Sequence, residues 1–412
     1  MIDMMPRRTP GYEVDMAVGR TFQGGPRLLA VAMGVLLTVG SPNLSVRGAT
    51  SEIDLSTSRL SGSAVKPSLL ADIPPFGTLI GDPLKGHTST VTAVAVGKRS
   101  NGTPVVVSGG YDKTVRIWNL DTGKPIGKPL KGHSKLIWSV ATGKRSDGTP
   151  VIVSGGDDHT VRVWNLDTGK PIGKPIVSKR NIMWAVATGK LGDGTPVIAA
   201  TAGGISSVVG LWNLNTGKPI KRSFAESLTT TTELATGKRS NGTPVVVTGN
   251  TSGEARIWSL NTGKPLSKPL TRCRAECFVQ GLAIGKRSDG TPVVVFADSP
   301  GWPFEEGDLD GRIQVWNLNT GKPIGDSIKA QSSGFADMAV GQRGDGSSVI
   351  VYGDDYGNVS VWDLDTGDAV GEPFNGHSGG ALGVAIGKRS DGTPVIVSGG
   401  RDKAIRVWSL GS

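Results

Sequence analysis

Residues 108–123 read SGGYDKTVRIWNLDTG, and near copies of this phrase close seven successive segments of the chain, at Trp118, Trp164, Trp212, Trp258, Trp316, Trp362 and Trp408. The tryptophans stand 46, 48, 46, 58, 46 and 46 residues apart. A period in the forties marks one supersecondary unit copied in tandem, each copy burying its apolar face only against its neighbours. The copies run from about Phe76 to Leu410 of a 412-residue chain, so one repeat domain is expected over 76–412, preceded by a separate segment over 1–75.

Within one copy, VTAVAVG at 91–97 alternates as a half-buried strand does, and GKRSNGTP then breaks it with Asn101-Gly102 and Pro104. The run 105–108 is apolar and β-branched, and Gly109 to Asp112 turns it into a third strand ending at Trp118. A weaker fourth strand is expected around 126–130. The chain holds 61 Gly and 25 Pro and almost no long apolar-periodic segment with helix caps, which makes it all-β.

Four short antiparallel strands per copy, seven copies over, predict a radial stack of small sheets without a long open edge. Gly86-His87, Gly132-His133 and Gly376-His377 early in the unit, Asp in a turn and Trp closing the third strand resemble the WD-repeat β-propellers. The resemblance covers about four fifths of the chain. It implies seven blades of four strands. The near-verbatim GKRSDGTPVIVSGG is similar to bacterial WD-repeat proteins. Only residues 409–412 follow the last tryptophan, whereas GTLIGDPLKGH at 77–87 aligns with GKPIGKPLKGH at 123–133. The N-terminal strand is therefore expected to complete the last blade and close the ring.

Ser, His, Asp and Trp recur together as His87, Ser108, Asp112, Trp118; as His133, Ser154, Asp158, Trp164; and as His377, Ser398, Asp402, Trp408. The first three residue types are those of a hydrolase triad. An indole N–H needs an acceptor, however, which a serine hydroxyl supplies while donating onward to an imidazole whose tautomer an aspartate fixes. A nucleophile would occur once, in a pocket with an oxyanion hole, not three times inside sheets. The resemblance implies the same structural network, and no enzyme is expected.

Copies three to six lack the histidine and carry Ala200, Thr248, Ala297 and Tyr352 at the serine position. Their opening segments differ far more than their first turns, and diversity on one face of a uniform scaffold is the pattern of a recognition surface for protein partners. Copy five carries an insertion, DSPGWPFEEG at 298–307, with Trp302 and Phe304 beside Glu305 and Glu306. Two readings stand: aromatic anchors for a partner, or a loop folded over its own blade. The acidic residues there lack the spacing of a calcium loop, so no metal or other cofactor is expected.

A net charge of +10 makes polyanions plausible neighbours. The Lys-Arg turns, such as Lys98-Arg99 and Lys144-Arg145, would form a ring able to track nucleic acid, but Asp stands nearby in most and no aromatic is interleaved. A solvated surface is the expectation, with polyanion binding as the alternative. The two cysteines, Cys273 and Cys277, are expected to be unpaired thiols rather than a small disulfide loop. Residues 28–40, LLAVAMGVLLTVG, are too short to span a bilayer and resemble a signal-peptide core. Residues 16–34 also align with 338–355, so a decayed repeat competes with a signal. A cytoplasmic location is expected, with secretion as the alternative.

Overall fold

The computed structural model describes residues 73–411 except 179–181, 203–207, 221–223, 226–229, 272–276, 301–310 and 331–333. The segment 28–40 and the residues Trp302, Phe304, Glu305 and Glu306 lie outside the described residues. The chain divides at Lys66–Pro67, and the described residues all belong to the second unit, Pro67–Ser412.

Seven antiparallel sheets make a seven-bladed β-propeller, and no helix occurs among the described residues. Blade one contains Val91–Lys98, Pro104–Gly110, Thr114–Asn119 and Leu130–Lys131, in that spatial order. Between the first two strands, Gly102 sits at φ 85° and its counterpart Gly148 at 84°, a left-handed backbone that a side chain would strain. The second strand is buried along its whole length. Val105 and Val107 pack towards blade two and Val106 towards blade seven, so period-2 alternation fills two interblade cores from one strand. Seven such cores occupy the seven interblade junctions, and Trp118 and Trp164 each pack against the preceding blade. Burying each valine contributes roughly 1.5–3 kcal/mol.

The outer strand of blade seven comes from the beginning of the described chain. Leu84 and Lys85 pair with Ile405 and Ala404, and the Ile80 amide donates to the Val407 carbonyl at 2.7 Å. Phe76 rests on Phe374, ring centres 5.0 Å apart.

The blades have four strands as expected, and in blade four the described residues give the fourth position as a bridge only, Ala255 to Leu270. The cysteines depart from expectation. No free cysteine occurs among the described residues, and Cys277 is disulfide-bonded, contrary to the expectation of unpaired thiols.

Candidate functional site

Strand pairing assigns each loop to a face. Because Val91 pairs with Gly110 and Lys98 with Pro104, the turn after the second strand and the entry to the first share one face, and the Lys-Arg turns lie on the other.

Three blades carry the same internal network. In blade one the Trp118 indole N–H donates to Ser108 Oγ at 3.0 Å, Ser108 Oγ lies 2.8 Å from His87 Nε2, and His87 Nδ1 lies 2.8 Å from Asp112. Blade two repeats it with Trp164, Ser154, His133 and Asp158. Blade seven does so with Trp408, Ser398, His377 and Asp402, where Arg406 adds a 2.7 Å bond to the aspartate. Burial pushes the Asp112 carboxyl up, but the bond and charge of His87 and the Thr114 hydroxyl outweigh it and hold it well below the carboxylate range. All three serines are fully buried, so no substrate reaches them.

The other blades improvise. Thr248 takes the Trp258 N–H at 3.0 Å, so blade four keeps half the network. In blade five Gln314 accepts from Trp316 and donates to Asp298, whose burial raises its carboxyl to about 6. In blade six the buried Trp362 N–H has no acceptor among the described residues.

On the Lys-Arg face the arginines are not free. Arg99 of blade one donates to the Asp167 carbonyl of blade two, and the Ser100 amide donates to the Asp167 carboxylate at 3.0 Å. Arg145 holds the Asn215 carbonyl at 2.7 Å, Arg287 the Asp365 carboxylate at 2.8 Å, and Arg389 the Asp121 carbonyl at 2.9 Å. The arginine of each of these turns thus grips the third-strand turn of the next blade. The sequence expectation of a merely solvated surface misses this, because the partners lie 68 to 268 residues away.

The opposite face holds a cavity of about 270 Å³ lined by Thr92, Trp138, Trp184, Thr232, Glu233, Ala336, Asp355 and Leu382. These come from six of the seven blades. A β-bulge accounts for five of them: pairing skips one residue between Val91 and Ala93, Ile137 and Ser139, Thr231 and Glu233, Phe335 and Asp337, and Ala381 and Gly383, while Trp184 precedes its strand and the bulged Gln280 of blade five does not line the cavity. The skipped residues are Thr92, Trp138, Thr232, Ala336 and Leu382, all in the lining. An extra residue in one strand re-aims its side chain out of the ladder, here towards the channel mouth.

The lining is aromatic on one side and acidic on the other. Trp138 and Trp184 have ring centres 4.8 Å apart, and Tyr111 meets Trp138 edge-on at 5.7 Å. The Trp138 indole N–H is buried without an acceptor among the described residues. Across the mouth, desolvation and the nearby charge of Asp337 push the Glu233 carboxyl well up, and burial raises Asp337 to about 6. Both are half-buried. Asp337 is anchored by the amides of Met338 and Val384 at 2.8 and 2.9 Å, and Asp355 is paired to Arg401 at 2.8 Å. Tyr111, Phe278 and Tyr356, 39%, 40% and 70% exposed, add apolar surface on this face.

Trp184, Thr232, Glu233, Ala336 and Asp337 lie in the variable opening segments of copies three, four and six, while Thr92, Trp138, Asp355 and Leu382 lie outside them. Aligned on the first turn, one column reads Thr92, Trp138, Trp184, Thr232, Gln280, Ala336, Leu382, and the columns beside it vary as well, whereas the turn itself repeats. Among the described residues no group of His, Cys, Asp and Glu could hold a metal ion. An aromatic wall facing carboxylates is suited to binding a cationic side chain.

Three segments match the WD40 family, described as WD domain, G-beta repeat, at residues 77–119, 123–165 and 369–409. They are the segments containing the complete His-Ser-Asp-Trp sets. Comparison with curated proteins finds no match.

Proposed function

Because the chain is a seven-bladed WD-repeat β-propeller, a fold that typically serves as a protein-interaction scaffold, we propose that it is a non-catalytic adaptor. A protein partner docks on the face opposite the Lys-Arg turns, over the channel mouth. The convergence of six blades on one cavity carries this reading: Thr92, Trp138, Trp184, Thr232, Ala336 and Leu382 vary in type where the frame that presents them repeats, and variation at a convergent site on a fixed frame is what selective recognition requires. Trp138 and Trp184 supply rigid aromatic area, and Glu233, Asp337 and Asp355 favour a segment bearing Lys or Arg beside an apolar residue. Trp302, Phe304, Glu305 and Glu306 are proposed as a further part of the same interface.

The test is nuclease-treated affinity co-purification with the intact chain, with Trp138→Ala/Trp184→Ala, and with residues 299–306 deleted. Loss of the same partner from the double variant, its fold verified by circular dichroism, supports docking at the mouth. Loss only on deletion moves the anchor to blade five. Undiminished capture by both variants would remove the proposal.

A further inference from the structure

The Lys-Arg turns divide their two cations between different tasks. The arginines bridge blades. The lysines end the innermost strands: Lys98, Lys144, Lys190, Lys238, Lys286 and Lys388 pair with the first residue of the second strand in their blades. The innermost strands of neighbouring blades pack side by side around the channel. Six lysines therefore ring the channel mouth on the face opposite the aromatic pocket, with Gln342 in the blade-six position. All six are exposed, and none belongs to an ion pair among the described residues.

The acids of the same turns do not neutralise them. Asp147 accepts the Thr149 amide at 2.9 Å and lies 3.6 Å from Arg145, and Asp391 likewise accepts the Thr393 amide and lies 3.8 Å from Arg389. Asp121 and Asp365 are bonded to the neighbouring blade's turn. Three of the lysines, Lys144, Lys190 and Lys238, share one cavity of about 290 Å³ with Thr188, Gly189, Thr236 and Gly237. The small residues leave it open, and the Thr188 and Thr236 hydroxyls are turned to carbonyls of the preceding blade at 2.7 Å, so the lysines dominate its polar character.

We propose that this mouth binds a compact anion carrying several phosphate groups, with Lys144, Lys190 and Lys238 as its principal contacts. Like charges converging on a concavity focus the field there, and lysine is an effective point-charge phosphate binder. The cavity lining contains no aromatic on which bases could stack, which favours a compact anion over a nucleic-acid strand.

Isothermal titration of the full chain with tripolyphosphate tests this, beside orthophosphate and a single-stranded oligonucleotide, in low salt because exposed charges are screened beyond about 10 Å at 0.1 M. Tripolyphosphate is expected to bind more tightly than orthophosphate. Lys144→Gln, Lys190→Gln and Lys238→Gln should each weaken it about two- to five-fold, the range of an exposed charge pair. Gln342→Lys completes the ring and should tighten binding by a similar factor, a gain that misfolding cannot mimic. Three results would overturn the proposal: no tripolyphosphate binding at low salt, affinity unmoved by both the lysine variants and Gln342→Lys, or preference for the oligonucleotide with affinity growing with its length.

Discussion

Arg389 of blade seven donates to the Asp121 carbonyl of blade one at 2.9 Å, and the Ser390 amide donates to the Asp121 carboxylate at the same distance. The two residues are 268 apart in sequence and meet at the junction where the last blade closes on the first. Arg99 and Asp167 repeat the arrangement between blades one and two. A repeat ring depends on nearest-neighbour interfaces, and each clamp adds charge-assisted bonds to one of them. Asp121→Ala is expected to cost about 1–2 kcal/mol, read as a lower Tm in thermal unfolding, with opening near blades one and seven in hydrogen exchange. Loss of protection spread evenly over all blades would contradict a local clamp.

The Trp-Ser-His network makes a different prediction. Ser154→Ala leaves the Trp164 N–H and His133 Nε2 without their partner in a fully buried site, and should lose about 1–3 kcal/mol by denaturant titration. Ser154→Thr keeps the hydroxyl, as Thr248 does beneath Trp258, and should lose less. Equal losses would mean that packing rather than hydrogen bonding governs the position.

Stability should have two opposite pH windows. Asp298 and Asp337 are raised by burial from 3.8 to about 6, so the folded chain binds protons more tightly than the unfolded chain between those values, and stability rises as pH falls from 7 towards 4. Asp112 and Asp158 are lowered; their contribution is present above 3.8 and is lost as pH falls further. Asp298→Asn, which retains an acceptor for Gln314, should flatten the upper window, a change of about 1–3 kcal/mol. An unchanged slope between pH 4 and 7 would refute the assignment.

The outer strand of blade seven is supplied from residues 77–85. Deleting them exposes the edge of Ala404–Ser409 and strips Leu84 from the core between blades seven and one. Unpaired edges template self-association, so the truncated chain should aggregate on mild heating, measured by light scattering, where the intact chain stays monodisperse. Equal scattering would show that this strand is dispensable.

The blades are legible in the sequence because their signals are local: a tryptophan every 46 to 58 residues, an Asn-Gly or Asp-Gly turn and β-branched runs. The channel mouth is legible only in part: the variable openings point to Trp184, Thr232, Glu233 and Ala336, but Thr92, Trp138 and Leu382 reach it through a bulge, and a bulge is a property of paired strands. The same limit hides the arginine clamps, since nothing near Arg389 points to Asp121.

Docking at the channel mouth is tested most directly by placing a photo-crosslinking residue at Tyr111 or Trp184 on one face, or at Lys124 or Lys170 on the other, and identifying the adducts formed in the source cell. One partner captured from Tyr111 and Trp184, and not from Lys124 or Lys170, is the expected result. Capture of that partner from the Lys124 and Lys170 positions alone would contradict docking at the aromatic mouth.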